Sequence, residues 1–435
     1  MARLAADGDL LVLTLTRPER VASMHGDISL PLAAVREVAV EADALGAVHG
    51  LRSPGLGLPG RKLMGTWRRP GRRAFVIARR GMPAVRVELD GVKPDQLIVS
   101  LPDAAAVATR VRVAAERARA DASARDELAV VIPSLGVRLA GTLELPAEAG
   151  PHPAVLLLPG SGEVDRDSNH RRFPLAITAD LAHSLAGAGI ASLRYDKRGV
   201  GGSGGEWLAA GLSDNADDAH AALEWLRSQP QVDAGSTFIA GHSEGALLVS
   251  ALGERSALDG IAGVVMLSAS AQRGEEMLAW QTAQIAAGLP RPVRMLLRVL
   301  RVDIRAKQRK NVAKLRATST DVARIDGRRI NARWHRELLE FDPRPGLAAI
   351  HAPVLALTGA KDLQVDPADL DVLAATVAGP VETARIPDLT HILRRDPGTP
   401  SIGAYKRLIR RPTDPEVLSR VTDWIARHSG RLGTV

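Results

Sequence analysis

The chain contains no cysteine in 435 residues. That excludes disulfides, thiolate nucleophiles and cysteine-ligated metals, and it says nothing about compartment. Aromatic residues make up only 3%, so any large core has to be assembled from Ala, Val and Leu. No stretch approaches the roughly 18 apolar residues of a membrane span. The opening residues, Met-Ala-Arg-Leu-Ala-Ala-Asp-Gly-Asp, lack the continuous apolar segment of a secretory signal. These absences predict a cytoplasmic protein without metal or cofactor. Hydrophobic content of 46% is ample for a large core. The length, at roughly 100–200 residues per domain, suggests two or three domains.

What is present carries more. Residues 239–245 read Ile-Ala-Gly-His-Ser-Glu-Gly, a G-x-S-x-G that follows a short apolar run and opens an Ala/Leu-rich helical stretch. A serine hydroxyl is a poor nucleophile unless it is held exposed at a sharp strand-to-helix turn. Gly241 and Gly245 remove the side chains that would collide there, and Ser243 is then presented at a helix N-terminus beside free backbone N–H groups. The partners should follow in the chain order serine, acid, histidine. Of eleven histidines only His391 and His428 lie downstream of Asp362. His428 sits before a terminal glycine, where a positive side chain suits a helix C-terminus, so His391 is the better base. Asp362, in the loop after the apolar run 353–357, is the preferred acid. Asp366 precedes Pro367 at a helix start, where capping explains it, and Asp369 and Asp371 fall inside that helix. An oxyanion hole needs two backbone N–H groups. Glu244, next to the nucleophile, supplies one, and the glycine-rich loop Gly160-Ser161-Gly162 fits the other.

With these residues in view, the stretch from about 128 to 428 resembles the α/β-hydrolase superfamily, in particular its small-ester carboxylesterase branch. Pro159-Gly160-Ser161-Gly162-Glu-Val-Asp165-Arg166-Asp167 matches that branch's H-G-S-G-x-x-D-R-D except at Pro159. Arg194-Tyr195-Asp196-Lys197-Arg198-Gly199-Val200-Gly201-Gly202-Ser203 matches its R-Y-D-x-R-G-x-G-x-S. The resemblance implies that Ser161 gives the second oxyanion N–H and that Asp196 and Arg198 brace the loop beneath the site.

The chain divides near residue 120. Before it, alternating β-rich runs (Leu10–Thr16, Ala34–Val40, Arg73–Ala78, Ala84–Leu89, Gln96–Ser100) are separated by Gly and Pro. A helical run over 103–118 follows them. Six or seven strands closed by one helix resemble a bacterial pleckstrin-homology-like (PH-like) domain over 1–120, and the polar run 121–127 reads as a linker. Residues 128–435 then alternate strand and helix as a doubly wound, mostly parallel α/β sheet requires. The antiparallel edge is expected from Val137 to Leu145. The expected buried strands are Ala154–Leu158, Ile190–Tyr195, Thr237–Ala240, Gly263–Leu267, Val354–Leu357 and Val381–Ile386.

About 80 residues between Ser268 and Pro353 are too many for a simple crossover and read as a helical insertion over about 270–350, which in the superfamily usually caps the active site. Val293, Leu296, Leu297, Leu300 and Ile304 fall on one helix face, with Arg294, Arg298, Arg301 and Arg305 beside it. Residues 291–336 carry 15 Lys/Arg and three Asp, a net of +12 against +8 for the whole chain. A solvated helix face accounts for such charge. An anionic substrate or an acidic membrane surface are the functional readings, and nucleic acid ranks lowest because no aromatic stacking platform accompanies the basic residues. Two functions of different class follow. One is a serine hydrolase acting on a small-molecule ester, with thioesterase, peptidase and acyltransferase chemistry open on the same triad. The other is a membrane- or anion-binding scaffold.

Overall fold

The computed structural model describes residues 1–430 apart from 9, 124 and 172. It divides into two compact units at residues 124/125. The first unit holds a three-stranded antiparallel sheet (Arg3–Asp7, Leu10–Thr14, Ile28–Pro31) and a six-stranded one. The order in the latter is Val35–Glu41, Ala84–Leu89, Gln96–Ser100, Arg72–Arg79, Lys62–Arg69, Leu51–Leu58. Helix Ala104–Ser123 packs Val107, Val111 and Ala115 into the same core as Leu97, Val99 and Val87. Nine described strands exceed the six or seven read from the sequence. Those missed include Leu51–Leu58 and Lys62–Arg69, where Gly55, Gly57 and Gly65 interrupt the two-residue alternation that marks a strand.

The second unit is built on an eight-stranded sheet. Its order is Arg125–Ser134, Val137–Pro146, Ala191–Tyr195, His152–Leu158, Val232–His242, Gly263–Leu267, Val354–Gly359, Val381–Ile386. The first two pairings are antiparallel and all others parallel. The central strands are mostly apolar where both faces are covered. Alternate residues divide between them. Leu156, Ile239, Val264 and Ala356 pack with helices Leu212–Arg227 and Glu244–Glu254 on one face. Val155, Leu157, Phe238, Val265 and Leu357 pack with helices Ile177–Gly187 and Pro415–His428 on the other. With so few aromatics, the bulk comes from aliphatics around the edge-on pair Phe238 and Trp424, with ring centroids 6.2 Å apart. This is the α/β-hydrolase fold expected from the sequence. Among the described residues no helix is long and apolar enough to cross a membrane.

The structure differs from the sequence reading in four places. Residues 121–127 are helix to Ser123 and strand from Arg125, so the sheet's outer edge is Arg125–Ser134 and not the strand beginning at Val137. Residues 126–129 of that strand are exposed, which removed the apolar alternation that would have marked it. Val381–Ile386 is the opposite edge, and Ile386 is its one buried residue. The cap insertion is not wholly helical: helices Gly274–Ala287, Arg291–Val299 and Ile304–Arg316 lead into a hairpin, Val322–Ile325 and Arg328–Asn331, before helix Ala332–Glu340. Its turn is Asp326-Gly327, both at positive φ, the dipeptide that tight hairpins favour. Finally, 293–304 is not one helix. It breaks at Leu300–Asp303, where Arg301 adopts φ 53° and Asp303 accepts the Arg305 and Ala306 N–H groups to start the next helix.

Candidate active site

Strand Val232–His242 ends at Ser243, and helix Glu244–Glu254 begins immediately after it. Ser243 holds φ 56° and ψ −113°, a conformation disfavoured for a residue with a Cβ. The surroundings enforce it. The Ser243 N–H donates to Leu267 O at 2.9 Å on the neighbouring strand. A Cβ on Gly241 would lie 2.3 Å from the Gly245 carbonyl, and one on Gly245 would lie 2.4 Å from Leu158 O. Strand, turn and helix therefore close up only with glycine at both positions.

The carboxyl ends of adjacent parallel strands converge on this turn, the usual place for a site in an open α/β sheet. Asp362 follows strand Val354–Gly359 and His391 follows Val381–Ile386. His391 Nε2 lies 3.0 Å from Ser243 Oγ, and its Nδ1 lies 2.8 Å from Asp362 Oδ2 and 3.1 Å from Oδ1. Asp362 is buried and also accepts the N–H groups of Gln364 at 2.8 Å and Val365 at 3.0 Å. Burial pushes its carboxyl up, but the adjacent His391 and these amides outweigh it and hold the pKa below the usual carboxylate value. An ionised Asp362 requires Nδ1–H as donor, which leaves Nε2 free to accept from the serine hydroxyl.

The other candidates have different occupations. Asp366 accepts the Ala368 N–H in a local turn. Asp369 is buried and accepts from Ser270 Oγ, the Ala271 N–H and Gln272 Nε2. Asp371 is exposed against Arg385. His428 ends the last helix, with Nδ1 on Trp424 O at 2.8 Å. Asp196 holds Arg166 through both oxygens and accepts the Gly202 N–H, and Arg198 pairs with Asp218.

The loop 159–162 lies against the elbow: a Cβ on Gly160 would sit 3.3 Å from His242 Nδ1 and 3.5 Å from Ser243 Cβ. Beside it is a cavity of about 360 Å³. Ser161, Gly162 and Glu244 line it from the sheet side, and Leu278, Ile330, Trp334 and His335 from the cap. Two of the chain's six tryptophans, Trp207 and Trp334, face it.

Sequence reasoning missed the residues that hold this cavity together. Asn331 caps helix Ala332–Glu340 through Oδ1, which accepts the Trp334 N–H at 2.9 Å. Its Nδ2 donates to Trp207 O at 2.8 Å and Ala210 O at 2.7 Å. One buried amide thus ties both tryptophan segments together. Glu244 receives Lys197 Nζ at 3.0 Å and Asn215 Nδ2 at 2.9 Å on one oxygen. Lys197 and Glu244 are the variable positions of the two motifs, which hid the role of their side chains; the sequence points to Glu244 only for its backbone N–H. His242 is buried, and burial together with nearby His391 depresses its pKa from 6.5 to about 3. Among the described residues one grouping could hold a metal, Glu127, Glu144 and His183. Its carboxylates already receive Arg194, at 3.0 and 2.6 Å, so the set does not fit a cation.

The sequence pattern of the family described as serine aminopeptidase, S33, matches residues 175–398. Esterase EstD of Thermotoga maritima is 27% identical over 292 residues, covering 66% of each chain. The match thus spans a little under two thirds of EstD. An uncharacterized protein of Mycobacterium tuberculosis is 28% identical over 261 residues, 59% of this chain and 69% of that one. The solved proline iminopeptidase of Mycobacterium smegmatis aligns with 69% of this chain and 99% of its own, at 15% identity and a TM-score of 0.48. The family pattern covers more than half of the residues and falls on the part of the sheet and cap that surrounds Ser243. The chain belongs to the serine aminopeptidase S33 family.

Proposed function

We propose that the protein cleaves carboxylic esters through a Ser243–His391–Asp362 triad and an acyl-enzyme intermediate. The observation that carries this reading is the continuous relay Asp362–His391–Ser243, at 2.8 and 3.0 Å, on a strained elbow. Ser243 Oγ attacks the acyl carbon while its proton passes to His391 Nε2. The carbonyl oxygen becomes negative and is met by the amides of Glu244 and Ser161, the latter bonded to no backbone acceptor among the described residues. His391 returns the proton to the departing alcohol. Water then enters, gives its proton to His391 and attacks the acyl carbon; the proton returns to Ser243 and the carboxylic acid leaves.

An ester is favoured over a peptide N-terminus for a reason within the cavity. An aminopeptidase needs an uncompensated carboxylate to receive the substrate ammonium. Glu244 is the one carboxylate among the described lining residues, and it is already paired with Lys197 while Arg329 adds further positive charge. The esterase relative agrees with this choice. The test is covalent labelling with a fluorophosphonate, followed by hydrolysis of p-nitrophenyl acetate. Ser243→Ala should abolish labelling and lower the rate by about 10⁴–10⁶ with the fold intact. Activity within tenfold of the unmodified protein would remove the assignment. Faster turnover of aminoacyl-anilides than of esters would replace esterase by aminopeptidase.

A further inference from the structure

The cap segment that follows Gly288 exposes apolar side chains that a folded domain normally covers. Val293, Met295, Leu296, Val299, Leu300 and Val302 are 40%, 66%, 57%, 78%, 60% and 41% exposed. They fall within ten residues, and between Val293 and Leu300 only Leu297 is even half-buried. Contiguous apolar surface of this kind marks a contact site. On helix Arg291–Val299 the apolar positions sweep over half the circumference, Arg294 and Arg298, spaced i and i+4, line the remaining stripe, and Arg301 follows in the break after the helix. None of these three arginines, nor Arg305, Arg309 or Lys310 on the next helix, forms an ion pair among the described residues. From 291 to 316 the one acidic residue is Asp303, and its carboxylate is engaged as a helix cap. These arginines do not line the cavity beside Ser243.

The occupant of such a face must accept aliphatic side chains and offer dense negative charge alongside them. A second copy of the chain would set arginine stripe against arginine stripe. A nucleic acid would satisfy the arginines and leave the leucines, valines and methionine in water, with no aromatic residue in the segment to stack on bases. An anionic bilayer satisfies both demands: apolar side chains enter the boundary between headgroups and acyl chains while arginines and lysines meet lipid phosphates. We propose that residues 291–310 dock the cap on an anionic lipid surface. This surface lies apart from the triad and does not depend on the ester reading.

Flotation of the full-length protein with vesicles tests it. Vesicles of phosphatidylcholine with about one third phosphatidylglycerol should carry at least about tenfold more protein than phosphatidylcholine alone, with binding falling as salt rises. Replacing Leu296, Val299 and Leu300 with Asp should reduce binding about tenfold or more. Because those side chains are exposed, hydrolysis of soluble p-nitrophenyl acetate should stay as it was and report an intact fold. Arg294→Gln, Arg298→Gln and Arg301→Gln together should weaken binding and remove most of its salt dependence. Equal flotation with both vesicle types, or undiminished binding by the Asp variant, would overturn the proposal. So would a dimer sensitive to the Asp variant, or retention on duplex DNA, in a protein that ignores anionic vesicles.

Discussion

His242 Nε2 lies 2.9 Å from the carbonyl oxygen of His391, so the residue before Ser243 holds the backbone of His391. A carbonyl only accepts, so Nε2 of His242 carries its proton and the ring is neutral with a donor in place. The two rings stand 5.1 Å apart, tilted by 47°. His242 thereby fixes where His391 starts from without touching Oγ.

We expect His242→Leu to lower kcat about tenfold and to destabilise the fold by about 1–3 kcal/mol, because a buried carbonyl loses its donor. His242→Gln, whose amide can reach the same carbonyl, should recover most of both losses. Equal damage from the two substitutions, measured by kcat and by urea unfolding, would show that ring volume matters and the hydrogen bond does not.

Stability should depend on pH through the same residue. The His242 pKa falls from 6.5 to about 3 on folding, so the unfolded chain binds a proton that the folded one refuses. The contribution is therefore fully present above about 6.5 and is lost progressively as pH falls toward 3, by a few kcal/mol in all. Asp362, lowered below its ordinary 3.8, adds its loss only below about pH 4. Unfolding free energies across pH 7 to 4 should slope downward in the unmodified protein and less steeply in His242→Gln. Parallel slopes would mean that the buried histidine is not held neutral.

The acid can be separated from its rival. Asp362→Asn should cut kcat by about 10²-fold or more, since the imidazole loses its orienting and charge-balancing partner. Asp366→Asn keeps an oxygen that can accept the Ala368 N–H and should cost at most about a kcal/mol with kcat unchanged. A reversal of the kinetic losses would hand the position to Asp366.

Asn331 joins two cavity walls, so its loss should register in binding. Asn331→Leu leaves the Trp207 and Ala210 carbonyls and the Trp334 N–H without their partner, at about 1–3 kcal/mol per buried group. We expect a lower Tm and a KM raised several-fold for a bulky ester, with kcat changed far less. A KM that stays put while kcat collapses would place Asn331 closer to the chemistry than its contacts suggest.

Charge near the cavity should steer anionic esters. kcat/KM for an anionic ester should fall with ionic strength more than for a neutral ester of equal acyl length, because the Debye length shrinks from about 30 Å at 0.01 M to 10 Å at 0.1 M. Arg329→Gln should flatten that difference, since Arg329 lines the cavity. Neutralising Arg294, Arg298, Arg301 and Arg305 together should flatten it less. Matching salt profiles for the two esters in the unmodified protein would mean that the basic cap does not act on substrate.

Local patterns in the sequence reached far. The G-x-S-x-G pattern, the order of Asp362 and His391 behind it, and apolar runs separated by turn residues are legible because each follows from short-range stereochemistry. An elbow needs glycine on both sides, and a buried parallel strand needs an apolar run; Asp366, read as a helix cap, instead closes a local turn before Ala368, the residue that caps that helix. The tertiary structure decided what depends on distant neighbours. Whether Val381–Ile386 is central or an edge is settled by how many strands pair with it, which no local pattern encodes. Lys197 and Asn331 became cavity residues only when segments 47 and 124 residues away came within hydrogen-bond reach. The apolar face at 293–300 reads the same in sequence whether it packs or stays bare. Exposure is a property of what surrounds a residue, and no described residue covers this face.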